Sequence, residues 1–246
     1  MNTTVTPERP LQTGDLSDAA VQAWLDFVAM PSHERCLRLT WMAESRAQAA
    51  VLWRVSEHHR MTKRLGTDLS YKSISAHDIA RRFGLLFGCS QRSIGQALSD
   101  LLDEGMLLAR PHVDNVTRKL WLHWPALQER WQSTEWPDRQ WLELNWIAKN
   151  KAEMVVLHSL QSALVDGQQD IQVSLSPREL ERLYRPQLGA GVDSSAISRA
   201  VKALTAAGAI EQPEELGIAR GVRLVPGQVE AQLQAFYQQD LQKLLG

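Results

Sequence analysis

The residues best suited to chemistry are Gln91, Arg92, Ser93 and Gln96, four side chains at the start of a segment that reads as a helix. A guanidinium can bond guanine O6 and N7 bidentately, and a carboxamide can pair with adenine N6 and N7. Their spacing puts them on the face opposite Ile94 and Leu98, where they can reach base edges from a helix lying in a major groove. Cations suited to phosphate surround them. Arg81 and Arg82 end the preceding helix, Lys72 lies before it, and Arg110, His112, Arg118 and Lys119 fall on a following strand pair. A second set comprises Ser194, Ser195, Ser198, Arg199 and Lys202. Its neighbouring strand carries Glu211, Glu214 and Glu215, which repel phosphate, and only Arg220 and Arg223 on the return strand compensate.

Other chemistries lack their residues. There is no G-x-x-x-x-G-K phosphate loop. His33 with Cys36, and His58 with His59, stand without two further ligands at metal spacing, so no metal or cofactor is expected. Ser, His and Asp are scattered with no nucleophile elbow, and an enzyme is not expected. Cys89 precedes a helix cap. Redox sensing through a lowered thiol pKa competes there with the plainer reading of a small buried filler.

The 246 residues, 44% hydrophobic and 22% charged, suffice for one large domain or two ordinary ones with packed cores. Two cysteines imply no disulfide framework, which fits a reducing cytoplasm. No apolar run is long enough for a membrane span, and no secretory signal is expected at the start. The net charge of −1 speaks against a nucleic-acid partner, but its distribution is uneven. Ten Lys/Arg face six Asp/Glu from Arg60 to Leu120, against ten and eleven from Asp138 to Val225.

Residues 1–16 read as a disordered tail. A helix from Asp18 to about Met30 puts Val21, Trp24, Leu25 and Val28 on one face. After a break at Pro31-Ser32, a long helix runs to about Leu65 and stops at Gly66. Tyr71–Ile74 reads as a strand, and Ser75 caps a helix over 76–83. Gly84–Gly88 reads as a turn, and Ser90 caps a helix over 91–104 with Ile94, Leu98 and Leu101 inward, stopped by Gly105. Met106–Arg110 and a return strand with Leu120, Leu122 and Trp124 form a hairpin around Asp114-Asn115.

The order then recurs. A helix spans 138–164 and ends at Asp166-Gly167, followed by a strand over 171–175. A helix opens at Ser176-Pro177 with Leu180 and Leu183 inward, and a loop follows over 186–191. Asp193 or Ser194 caps a helix ending at Gly208, and a hairpin over 209–225 turns at Gly217. Pro226-Gly227 introduces a last helix, 229–245, with Val229, Leu233, Phe236 or Tyr237, Leu241 and Leu244 on one side. At an offset of 103 residues Ile94 falls on Ile197, Leu98 on Val201, Leu101 on Leu204 and Gly105 on Gly208. At 101, Ile79 falls on Leu180 and Phe83 on Tyr184.

On these residues, from about Trp41 to Val225, the chain resembles the tandem winged helix-turn-helix proteins. These include plasmid-type replication initiators, MarR-like regulators and the winged-helix partners of chromosome-condensation complexes. The resemblance implies a mainly α fold with small β-hairpin wings. Residues 17–132 would form a first winged-helix domain, 133–225 a second, and 226–246 a C-terminal helix. Double-stranded DNA is the expected partner and transcriptional regulation the expected role. A mobile-element replication initiator or partition factor, and an interaction scaffold without DNA, are the alternatives. The last helix either packs on its own domain or pairs two copies; a homodimer through it predicts a palindromic site. The Trp-rich stretch from Trp121 to Trp146 reads as a bridge between the domains or a second interface.

Overall fold

Helix caps set the boundaries of this fold. The computed structural model describes residues 17–62, 74–111, 118–164, 173–174, 176–211, 221–225, 227–235 and 237–238. Among them are eleven helices and five strands, in two compact units that divide between Trp136 and Pro137. In the first unit α1 (Asp18–Ala29), α2 (Ser32–Met42) and α3 (Arg46–Thr62) precede α4 (Ala76–Phe87) and α5 (Gln91–Asp103). The antiparallel hairpin β1 (Leu107–Pro111) and β2 (Arg118–Leu122) follows, and α6 (Trp124–Ser133) closes the unit. The second unit runs α7 (Arg139–Ile147), α8 (Lys151–Leu164), β3 (Val173–Ser174), α9 (Pro177–Leu188), α10 (Ser194–Ala206), β4 (Ile210–Glu211), β5 (Gly221–Leu224) and α11 (Gln228–Ala235). Its sheet has the order β3-β5-β4, antiparallel throughout. No helix among the described residues is long and apolar enough to cross a membrane.

The two long helices expected from the sequence are each two helices. Ser45 Oγ accepts from Gln48 N at 3.2 Å, and Gln48 Oε1 accepts from Glu44 N at 2.9 Å. Asn150 Oδ1 and Glu153 Oε2 do the same for Glu153 N and Lys149 N, at 2.9 and 2.8 Å. Reciprocal capping of this kind gives partners to amides that a new helix start would leave bare, so the chain can break there at little cost. Each break follows the pattern L-x-L-x-W-x-A: Leu37, Leu39, Trp41 and Ala43, then Leu142, Leu144, Trp146 and Ala148, 105 residues on. All four leucines are buried. This offset went unread in the sequence, and it carries the repeat back to α2 and α7.

Several helix ends and faces differ from expectation. In α1, Trp24 and Phe27 are buried while Leu25 is half exposed, so the apolar face is rotated by a residue. The supposed turn at Gly84 is helix, which runs to Phe87 and ends on Gly88 at φ +65°. Gly84 serves close approach instead: Cys89 N donates to its carbonyl at 2.7 Å, and a Cβ there would meet the Cys89 carbonyl oxygen at 2.8 Å. In α5 the inward stripe is Ile94, Ala97 and Leu101, with Leu98 half-buried. Trp124 is not strand but the first residue of α6. α9 continues through Pro186 to Leu188 where a loop was expected, and Leu183 is 51% exposed rather than inward.

Several tryptophans have aromatic partners in their own unit. Trp124 meets Trp24 edge-on at 5.0 Å and donates from Nε1 to Ala20 O at 2.9 Å. Trp131 packs on Phe27 and Trp136, while Trp141 in the second unit stacks on His158 at 3.8 Å. In α11, Val229 is buried. Beyond it, Tyr237 OH donates to Glu143 Oε1 of α7 at 2.5 Å and accepts from Arg139 Nη2 at 2.8 Å. The described part of the last helix, α11, packs against α7. The N-terminal 1–16 tail, the stop at Gly66, Tyr71–Ser73, the turns at Asp114-Asn115, Asp166-Gly167 and Gly217, and the 239–246 end of the last helix lie outside the described residues.

Candidate nucleic-acid interface

In the first unit, two capped helices meet across the three residues Gly88, Cys89 and Ser90. Ser75 Oγ accepts from Asp78 N, and Ser90 Oγ from Ser93 N, each at 3.1 Å. Ile79, Phe83 and Phe87 of α4 and Ile94, Ala97 and Leu101 of α5 are buried, which fixes the outward face of α5. Gln91, Arg92, Ser93 and Gln96 are all exposed on that face. Arg92 has no hydrogen bond or ion pair with another described residue. Gln91 Oε1 lies 3.2 Å from His77 Nδ1, and Gln96 Nε2 donates to Asp100 Oδ1 at 2.8 Å. Ser93 Oγ donates to Ser90 O at 2.8 Å, which turns its hydroxyl back onto the cap. Arg81 and Arg82 share Asp78 at 3.4 and 3.3 Å and remain 68% and 49% exposed.

In the hairpin, Arg110 pairs in register with Lys119 and Pro111 with Arg118. The side chains of Arg110, Arg118 and Lys119, and Lys72, His112, Glu214, Glu215 and Arg220 entirely, lie outside the described residues, as does the Arg223 side chain.

The second unit builds the same junction with different groups. Asp193 Oδ1 accepts from Ser195 Oγ at 2.5 Å and from Ala196 N at 2.8 Å. These bonds, the serine hydroxyl first, hold the Asp193 carboxyl below its ordinary range. Ser195 and Ser198 thereby spend their hydroxyls locally, Ser198 on Ser194 O at 2.8 Å. Arg199 and Lys202 are exposed. Glu181 reaches from α9 to accept from Ser194 N at 2.9 Å and from Arg185 Nη1 at 2.7 Å. The backbone amide of Ser194, then Arg185, lowers its pKa.

The repeat extends to hydrogen bonds. α4 and α9 correspond end to end at an offset of 101, and α5 and α10 at 103. Gly105 and Gly208 stand at φ +71° and +70°. Met106 N donates to Leu101 O and Ala209 N to Leu204 O, at 2.9 and 3.0 Å. An open groove of about 620 Å³ follows α4, lined by His77, Ala80, Arg81, Gly84 and Leu85 with the start of the turn. Its counterpart on α9, about 440 Å³, is lined by Arg178, Glu181, Arg182, Arg185 and Pro186, the same five positions 101 residues on. Sequence reasoning passed over Arg178, Arg182 and Arg185. Their i, i+4, i+7 spacing and the offset of 101 were the available signal.

Charge on these helices does not follow the sequence totals. α4 and α5 carry three arginines against three aspartates, whereas α9 and α10 carry five Lys/Arg against two glutamates. The basic excess of the first half sits outside its helix pair. Cys89 is half-buried, with Sγ 3.3 Å from Phe87 O, and burial pushes its pKa up against the pull of Arg46. A lowered, reactive thiol is therefore not what this helix start provides. No group of three His, Cys, Asp or Glu able to hold a metal occurs among the described residues. No family model, curated protein or solved structure matches the chain significantly.

Proposed function

We propose that this chain is a sequence-specific double-stranded DNA-binding protein, a transcriptional regulator built from two winged helix-turn-helix domains in tandem. The observation that carries this reading is the α4–turn–α5–hairpin order with an outward Gln91, Arg92 and Gln96, recurring in α9, α10 and their strands. The buried Ile94–Ala97–Leu101 stripe clamps α5 on its inner side and leaves these side chains exposed on the face that would meet base edges. Titration of labelled duplex DNA with the purified chain tests the reading. Binding that weakens as salt rises supports it, because phosphate contacts release counterions. No binding, or binding indifferent to salt, defeats it.

One observation favours a second reading, a scaffold that docks another protein. Leu85 is fully exposed in the α4 groove, beside an electroneutral helix pair. Co-purification of a stoichiometric protein partner that survives Leu85→Ala would remove the support Leu85 gives to that reading.

A further inference from the structure

We infer that the arginine row of α9 is the surface by which the second unit anchors the phosphodiester backbone of duplex DNA, while base choice resides in α5 of the first unit. This rests on the DNA-binding reading above and assigns work within it. Arg178 and Arg182, one turn apart, are exposed and make no ion pair or hydrogen bond with another described residue. Arg185, 60% exposed, lies one turn further along the same groove. The one carboxylate lining that groove, Glu181, is already held by the Ser194 amide and Arg185. Three guanidiniums along one groove edge suit a run of oxyanions, because each fork can take two phosphate oxygens.

The comparison within the chain gives the assignment its direction. At the equivalent positions of α4 stand His77, Arg81 and Gly84, so the first unit keeps one of the three arginines. Conversely, Arg92, free at the start of α5, is replaced in α10 by Ser195, whose hydroxyl is bound to the Asp193 cap. One unit carries the cation array and the other the base-reading side chain. The charge totals of the two helix pairs run the same way.

The test uses the full chain and fluorescence anisotropy on a random-sequence duplex and on a duplex recovered by selection from genomic fragments. Arg178→Gln with Arg182→Gln should weaken binding to both duplexes about tenfold near 0.1 M salt. It should also lower the slope of log affinity against log salt by about 1.8, the loss of two phosphate contacts. The ratio of affinities for the two duplexes should stay unchanged. Arg178→Lys with Arg182→Lys keeps the charge and should keep the slope. Circular dichroism melting of both variants should match the parent, since both side chains are exposed. An unchanged slope in the glutamine variant of a chain that does bind DNA overturns the assignment alone. A loss of the affinity ratio in that variant overturns the division of work. No binding of either duplex by the parent chain defeats the underlying reading and this inference with it.

Discussion

The two units answer the same packing problem with different chemistry. In the first, Arg35 of α2 is fully buried, ion-paired to Glu57 of α3, and donates to Phe27 O and Val28 O at the end of α1. Its guanidinium also lies over Phe27 and Trp53. At the equivalent position of the second unit, 105 residues on, Gln140 donates to Gln161 at 3.0 Å and is only half-buried. The difference lies in the extra helix α1, which covers Arg35 and supplies carbonyls for it. A buried cation is tolerated because a carboxylate, two backbone carbonyls and two ring faces surround it, and a neutral amide suffices where that cover is missing.

The largest effect should separate these two solutions. Arg35→Ala strands Glu57 in the core and should cost about 3–5 kcal/mol. Gln140→Ala leaves one amide to solvent and should cost under about 1 kcal/mol. Urea unfolding of the two variants checks this, and equal losses would mean that α1 does not isolate the ion pair. Next comes the recognition position. Arg92→Ala should lose about 1–3 kcal/mol on the selected site and relax base choice, whereas Ser195→Ala at the matching position should leave base choice intact. Competition binding against point-substituted duplexes distinguishes the two. Equal loss of discrimination would return base reading to both units.

Smaller effects test the caps. Ser90→Ala should cost about 1 kcal/mol at any pH between 4 and 8. The Asp193 cap is titratable. Its carboxyl is depressed in the folded state, so its stabilisation is present above the ordinary value of 3.8 and disappears as pH falls through the folded value. Asp193→Asn should therefore match the parent more closely as acid is added, in melting curves below pH 4. A constant difference would show that the Ser195 and Ala196 bonds do not depend on the charge.

The smallest effect concerns His158. Its ring is stacked on Trp141 and bonded to Tyr184 OH at 3.1 Å, and burial lowers its pKa against the pull of Asp138. A lowered histidine favours the neutral folded form, so its contribution is complete above 6.5 and declines as pH falls below that. No such ring lies at the matching position of the first unit, which holds Trp53. Melting at pH 5.5 and 7.5 should shift the parent more than His158→Gln. Identical shifts would remove the histidine from the account.

Much of the helix pair was legible because its signals are local. Ser75, Ser90 and Ser176 cap their helices, and Gly105 and Gly208 stop theirs, each recognisable within four residues. The breaks at Ala43–Ser45 and Ala148–Asn150 are harder to read because neither contains a Gly or Pro, so the apolar helical pattern runs across them. Their signal is the capping pair, Ser45 with Gln48 and Asn150 with Glu153, in which Gln48 and Glu153 reach back to the preceding amides. Gly84 misled for another reason: a glycine demanded by the neighbouring Cys89 carbonyl looks in sequence like a glycine that ends a helix. The arginines of α9 were hidden by their glutamate neighbours in the sequence total. Which carboxylate is already occupied depends on the Ser194 amide across the turn.

Whether this chain reads DNA sequence is decided by selection. The purified chain is mixed with sheared genomic DNA, bound fragments are recovered at physiological salt, and the fragments are sequenced. A DNA-reading chain should recover a few fragments that share one sequence, and Arg92→Ala should lose that shared sequence. Recovery in proportion to input, or no recovery, contradicts that reading.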